Sequence, residues 1–429
     1  MTKPTTISQL ISDPGCMDDY DPNAMSVTKA RQFIKQFLSP VAETETLSLR
    51  ESLGRVLATD VLSPSNVPNY DNSAMDGYAF NALDLDAARL KVIGTAFAGK
   101  AFSGSVARGE CVHIMTGAAM PQGADTVAVQ EKVLRDGDVI TLTDKPKPHA
   151  NVRYAGEDLQ QDQTVLTTGH LMRPADLGLI ASLGIAEVTV YRKLKVAFFS
   201  TGDELVGLGK TLETGQVYDS NRYTLFGMLS RLGVEIIDLG AIADDPALLE
   251  DTLLNAANQA DLVITSGGVS VGEADYMKLL LAKHGQVLFW KIAMKPGRPL
   301  AYGKIGNAHY FGLPGNPVAV MVTFYQFVRE AILSLMGQAF GGQPGPAPLP
   351  MFNVECTVPI KKFTGRTEFQ RGILFADTTG TWKVKPTGAQ GSALLSSMSL
   401  ANCFIVLDET VGNLDAGAMV QVQVLDGII

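Results

Sequence analysis

Cysteine, histidine, tryptophan and positive charge are all scarce in this chain. Its 429 residues include four cysteines, five histidines and two tryptophans, and only 18% of them are charged. Cys16, Cys111, Cys356 and Cys403 lie far apart, so no two have metal-ligand spacing, and the pattern predicts scattered thiols of a reducing compartment. His113, His149, His170, His284 and His309 are isolated, without an HxxxH pair or a nucleophile partner, and read as core or surface histidines. With 35 Lys and Arg against 44 Asp and Glu, no basic stripe offsets the net charge of -9, which excludes general nucleic-acid binding. No run of eighteen uninterrupted apolar residues occurs, and the N-terminus lacks a basic segment followed by an apolar core. A cytoplasmic protein without a membrane partner is the expectation. GxxxxGK[ST] is absent and no GxGxxG follows the first strand of the α/β pattern, which excludes a Walker-type nucleotidase and gives no Rossmann fingerprint.

What is present is apolar residue in quantity, 46% of the chain, enough for two to four packed domains. Residues 1–25 are polar and proline-containing and predict a loose tail. Ser26 can cap a helix through about Leu38, and a second short helix is expected over Leu49–Ala58. Between Leu90 and Thr168, short alternating runs broken by glycine predict a small β domain. Pro174–Leu183 reads as a helix stopped by Gly184 and able to rejoin the first helical unit. From Lys195 onward strands and helices alternate: Val196–Ser200, Arg222–Leu232, Val234–Leu239, Pro246–Gln259 and Leu262–Ile264. That order predicts a parallel sheet with helices on both faces, extended by Val287–Ile292 and Ala308–Phe311 and closed by a long helix over Pro317–Met336. Gly341–Pro350 reads as a linker, and the β-like runs beyond it predict a barrel or sandwich.

The chemistry collects where the α/β strands end, because ligands of such sheets bind outside the carboxyl ends of the strands. Those ends carry Thr201-Gly202-Asp203-Glu204, then Ala243-Asp244-Asp245, then Gly267, Gly268, Ser270 and Asp275. Next come Lys291, Lys295, Gly297 and Arg298, and finally Gly312-Leu313-Pro314-Gly315-Asn316-Pro317. Glycine turns at helix N-termini cradle anions. Two carboxylates 4 Å apart repel by about 4 kcal/mol at an effective dielectric near 20, so converging acids call for a cation, and Mg²⁺ is the natural one. Each residue taken singly is equally an ordinary cap, turn or surface charge.

Seven stretches occur in a recognisable order: DNSAMDGYA (71–79), MTGAAMP (115–121), STGDEL (200–205), SGGVSVGEADY (266–276), KPGRP (295–299), GLPGNP (312–317) and GRTEFQRG (365–372). The chain resembles the MoeA-type molybdopterin molybdenumtransferases, related to the E domain of gephyrin. The resemblance implies a multidomain α/β plus β fold: a three-layer doubly wound α/β domain (193–340), a small β domain (63–159), a discontinuous helical or mixed domain (26–62 and 160–192) and a C-terminal β-barrel (341–429). It implies a homodimer in which the DNSAMDGY region of one subunit faces the α/β and C-terminal domains of the other. The implied reaction joins molybdate to adenylylated molybdopterin and releases AMP, with Mg²⁺ as cofactor.

Carried over residue by residue, the resemblance assigns catalytic roles to Asp76, Thr116, Glu204, Asp244 and Asp275, with Glu204, Asp244 and Asp275 as metal ligands. Substrate-binding roles fall to Gly267, Gly268, Ser270, Lys291, Lys295, Arg298, Pro314, Asn316, Arg366 and Ser392. Ala319 stands where relatives often have Ser, and Arg298 replaces a frequent Lys. Candidate partners are the molybdopterin adenylyltransferase of the preceding step and the proteins that deliver cofactor to apo-molybdoenzymes. That adenylyltransferase activity, which shares the GGVS loop, and a gephyrin-like scaffold are the alternative functions.

Overall fold

A computed structural model of the chain describes residues 24–87, 89–268 and 276–425. The expected tail up to residue 23, and the calls on Ser270 and Asp275, therefore lie outside the described residues.

The α/β domain is organised by strands buried on both faces. In Lys195–Thr201, Val196 and Phe198 pack into one core with Leu225, Leu229 and Phe311, while Ala197 and Phe199 pack into another with Leu249, Leu253 and Tyr310. Alternation with period two thus feeds two helical layers from one apolar run. Helix Ser220–Leu232 is capped by Asp219 and ended by Gly233 in the left-handed region, and helix Pro246–Gln259 begins with Pro at its first turn.

The sheet has the order Glu235–Ile242, Lys195–Thr201, Leu262–Ser266, Ala308–Leu313, Pro299–Ile305, Gly285–Lys291. Its first four strands are parallel, but Pro299–Ile305 is antiparallel to both neighbours, so the sheet is mixed rather than wholly parallel. A two-residue turn with Gly306 at φ 59° joins Ile305 to Ala308, and such a short connection joins only antiparallel strands. Sequence periodicity missed Pro299–Ile305 because Gly303 interrupts it. That glycine is required by a neighbour: a Cβ there would sit 2.1 Å from the Gln286 carbonyl oxygen. Two reversals leave Gly285–Lys291 running with the four parallel strands, so its carboxyl end reaches the same rim.

Helix Val27–Lys35 is capped by Ser26, whose Oγ accepts from the Lys29 amide at 3.3 Å. The helix expected over Leu49–Ala58 is not formed. Turns run from Leu49 to Gly54 (φ 74°), and Val56 and Leu57 bridge to Leu171 and Val190. Strand Thr44–Ser48, unread in the sequence, pairs antiparallel with Glu187–Tyr191, and Val61–Leu62 pairs with Thr164–Leu166. The chain thus leaves this unit and returns to it after the small β domain, a six-stranded sheet containing Gly77–Phe80 and Glu110–Ile114.

The C-terminal strands close on themselves as a five-stranded barrel in which Thr367–Ala376 pairs with both Trp382–Pro386 and Cys403–Leu407. The closing helix runs Pro317–Leu335 with a π-helical turn at Phe324–Val328. By length and composition it is apolar enough to cross a membrane, but 78% of its most apolar window is buried inside the protein. Cys111, Cys356 and Cys403 are buried free thiols. His309 is buried as well, and burial pulls it down to about 4, so it is neutral at physiological pH.

Candidate active site

A cleft of about 600 Å³ opens at the carboxyl rim of the α/β sheet. Its walls come from four successive strand ends and from the barrel. Glu204 and Asp244 supply one side, Gly267 and Gly268 the floor, and Pro314, Gly315 and Asn316 the adjoining wall. Lys295, Arg298, Arg366 and Ser392 face them. Ten of the residues singled out in the sequence therefore line one cavity, although they span nearly two hundred positions of chain.

Local chemistry explains each wall. Gly267 (φ 95°) and Gly268 (φ 65°) adopt backbone that side chains avoid, and a Cβ at Gly267 would lie 2.7 Å from the Thr201 carbonyl oxygen. The turn can therefore expose backbone to a ligand only if glycine occupies it. The Gly267 amide itself donates to the Leu313 carbonyl at 3.1 Å. Asn316 precedes a helix that starts with Pro317, which has no N–H, and its side chain makes no capping bond; the barrel backbone at Ser392 takes the Val318 amide in its place.

The barrel is brought to the rim by a short intermolecular-like contact within the chain: Met294–Lys295 adds as a parallel strand to Thr367–Glu368. Lys295 Nζ lies 3.6 Å from the buried Glu368 carboxylate, and the Lys295–Pro296 peptide is cis. Arg366, one residue before this pairing, projects from the exposed surface into the same cleft. Beneath the Gln390–Ser392 wall, Arg371 is fully buried and donates to the Gly391 carbonyl at 2.9 Å and to Ser397 Oγ at 3.0 Å. Burial lowers its guanidinium to about 10. The backbone of Ser392 is tied in turn to the closing helix, its carbonyl accepting from the Val318 amide at 3.0 Å.

The acids and cations are segregated across the cleft. Asp244 is held above the usual carboxylate range, first by burial and then by repulsion from Asp203 and Glu204, while its amide donates to Asp203 Oδ1 at 3.0 Å. Asp244 is thus a carboxyl crowded by two other acids. Among the described residues no three His, Cys, Asp or Glu side chains form a ready metal cage. Glu204 and Asp244 are thus two hard-oxygen ligands sharing a rim with glycine turns, a set that fits a magnesium ion also coordinated by phosphate or water.

Three of the residues expected at the site lie elsewhere. Lys291 does not line the cleft; it sits on the edge strand, where its carbonyl accepts from the Met25 amide at 3.1 Å. The sequence put it at the rim by its position at a strand end, but only Lys295, after the chain turns toward the barrel, reaches inward. Asp76 and Thr116 lie in the small β domain and bond each other: Asp76 Oδ1 accepts from the Thr116 amide and hydroxyl, both at 2.7 Å. Those donors hold the Asp76 carboxyl below its usual range. Sequence reasoning missed Asn221, Tyr276 and Gln390, which also line the cleft. Asn221 follows Asp219 at the start of a helix and looks like part of a cap, so nothing in its neighbourhood distinguishes it.

Residues 25–184 match the MoeA N-terminal region (domains I and II), residues 197–334 a probable molybdopterin binding domain, and residues 353–425 the MoeA C-terminal region (domain IV). The molybdopterin molybdenumtransferase of Haemophilus influenzae is 47% identical over 401 residues, covering 93% of this chain and 98% of its own. Gephyrin of Dictyostelium discoideum is 32% identical, over 88% of this chain and 59% of its own. The crystal structure of the molybdopterin biosynthesis MoeA protein from Pyrococcus horikoshii OT3 superposes with a TM-score of 0.80 at 29% identity, covering 94% of this chain and all of that one. The seven ordered motifs, the mixed sheet with its rim cleft and the barrel that closes it are accounted for together: the chain belongs to the MoeA family of molybdopterin molybdenumtransferases.

Proposed function

We propose that this cleft is where molybdate is inserted into adenylylated molybdopterin with release of AMP, and that the reaction depends on Mg²⁺. The observation that carries the assignment is the convergence of acids, glycine turns and cations on one cavity. Gly268 and the Gly315-Asn316 turn offer backbone amides to the pyrophosphate. Lys295, Arg366 and Ser392 receive molybdate, a tetrahedral dianion that asks for the same donors as phosphate. Glu204 and Asp244 would hold the magnesium ion, with Asp275 as a third ligand. A bound ion would supply neutralisation of charge on the pyrophosphate from which AMP departs. Arg298 completes the positive side. Mo–S bonds form at the dithiolene as molybdate oxygen leaves as water, and water cleaves the P–O–P bond to give AMP and the pterin phosphate; both changes need positioning and charge stabilisation rather than a protein nucleophile.

The test is molybdate-dependent AMP formation from adenylylated molybdopterin by the purified protein. AMP release that ignores molybdate overturns the assignment. Nucleotide transfer from ATP to molybdopterin would favour the adenylyltransferase reading instead, but the barrel supplies walls and contacts such a reaction does not call for. A gephyrin-like scaffold function needs no intact set of cleft acids and cations.

Asp76 and Thr116 gain a role if a second copy brings its small β domain to the cleft, the homodimer the family resemblance implies. Mixing two inactive variants, Asp76→Asn and Glu204→Gln, should then restore about a quarter of the sites, because half of the mixed dimers' sites are intact. No recovery on mixing would remove the shared site. Buried reduced thiols at Cys111, Cys356 and Cys403 support a cytoplasmic location, and the substrates identify the adenylyltransferase and cofactor-delivery proteins as partners.

A further inference from the structure

Asn221 is 9% exposed and sits at the second position of helix Ser220–Leu232, at the edge of the cleft. Its Nδ2 donates to Ser266 Oγ at 2.8 Å and to the Gly315 carbonyl at 2.7 Å. Ser266 is the last residue before the Gly267-Gly268 turn, and Gly315 lies in the turn that opens the closing helix. These two turns leave neighbouring strands whose ladder ends at the pair Ser266 and Leu313. Beyond that pair both segments line the cleft, and one amide group bonds to both.

The orientation of that amide is fixed by chemistry. A carbonyl oxygen only accepts, so the atom facing Gly315 must be the nitrogen. Asn221 Oδ1 is buried and has no hydrogen-bond partner among the described residues, an arrangement that folding alone does not favour. The helix that carries Asn221 is anchored to a third strand end, because Asp219 Oδ1 accepts both the Arg222 amide at 3.2 Å and Ser200 Oγ at 3.0 Å. Two strand ends are thereby tied to the Asn221 side chain, and a third to the cap of the helix that carries it.

We propose that Asn221 is a positioning residue for the adenylylated substrate: it fixes the spacing of the two turns so that both meet the same pyrophosphate. The proposal rests on the function assigned above and adds a residue to it. Two neutral hydrogen bonds set the expected size. Asn221→Ala should raise the KM for adenylylated molybdopterin about tenfold, or ~1.4 kcal/mol, while the KM for molybdate stays within about twofold. Asn221→Ser, which keeps one donor, should fall between wild type and Ala, and it serves as the variant to measure if Asn221→Ala does not fold. A purely structural role would lower the amount of active enzyme and leave both KM values alone. An unchanged KM for the adenylylated substrate, or equal rises for both substrates, overturns the proposal. Wild-type protein without molybdate-dependent AMP release would instead overturn the underlying function, so the two failures are distinct.

Discussion

Two cavities of similar size occupy this molecule, and only one is built for chemistry. The rim cleft measures about 600 Å³; the other, about 670 Å³, lies where helix Val27–Lys35, the π-helical turn and the barrel meet. The larger one also contains charge: Arg31, Lys35 and Arg329 with Glu330 and Asp408. Its polar groups are turned on each other. Arg31 Nε donates to the Gln326 carbonyl at 2.8 Å and its Nη2 to the Gln326 side chain, and Gln326 Nε2 donates to Gln423 Oε1 at 2.9 Å. Burial depresses the Arg31 guanidinium, with Glu330 opposing the shift. In the rim cleft, by contrast, neighbouring acids and burial raise Asp244, and glycine turns offer backbone to whatever enters. Volume does not locate a site; convergent acids, cations and glycine turns do.

The contrast can be broken most sharply at the acids. Glu204→Gln should reduce molybdate-dependent AMP release at least about a hundredfold, the scale of losing a group aimed at developing charge, while circular dichroism reports an intact fold. Near-normal turnover would empty the rim cleft of its assigned chemistry. Next in size is Lys295→Ala, which should raise the molybdate KM by about 10- to 100-fold, as expected for a hydrogen bond to a charged group. An unchanged molybdate dependence removes Lys295 from the oxyanion site.

On the other side of the comparison, Arg31→Met should cost about 1–3 kcal/mol of stability, read by denaturant unfolding, because it leaves the Gln326 acceptors without their donor. Both KM values should stay within about twofold of wild type. A large KM effect with normal stability would mean that the second cavity takes part in the reaction.

The smallest effect concerns pH. A carboxyl raised on folding binds its proton more tightly in the folded state, so its favourable contribution is present below the ordinary carboxylate range and lost as pH rises through the raised value. Asp244→Asn should therefore raise the melting temperature near pH 7 and give no gain below about pH 3.5. The same variant should lose activity, separating what the acid does for catalysis from what it does to stability. Thermal melts at the two pH values decide it, and an equal shift at both would show that repulsion at this rim is absent.

Much of the α/β domain was legible because local and tertiary demands agree there. Pro246–Gln259 begins at a proline after a capping Asp and ends as its apolar pattern ends, and the helix has those bounds. Leu49–Ala58 failed because its apolar spacing mimics a helix while Gly54 turns the chain and Val56 and Leu57 are taken by bridges to residues over a hundred positions away. Pro299–Ile305 failed for the opposite reason: the glycine that hides the strand is what lets its neighbour approach. At the site, Gly267 and Gly268 were legible from their type alone, since their backbone geometry admits little else. Asn221 was not, because its meaning lies in Ser266 and Gly315, forty-five and ninety-four positions away.

The sequence by itself determined the alternation of strands and helices from Lys195 to Ser266, the residue types at each strand end and the family those ordered motifs mark, because spacing and backbone preference are local properties. Tertiary structure alone decided that Lys295 and not Lys291 enters the cleft, that the barrel delivers Arg366 and Ser392 to the rim, and that Asp76 and Thr116 lie apart from it. Those outcomes depend on which distant backbones pair, and the direction of a side chain follows from that pairing rather than from its neighbours in the chain.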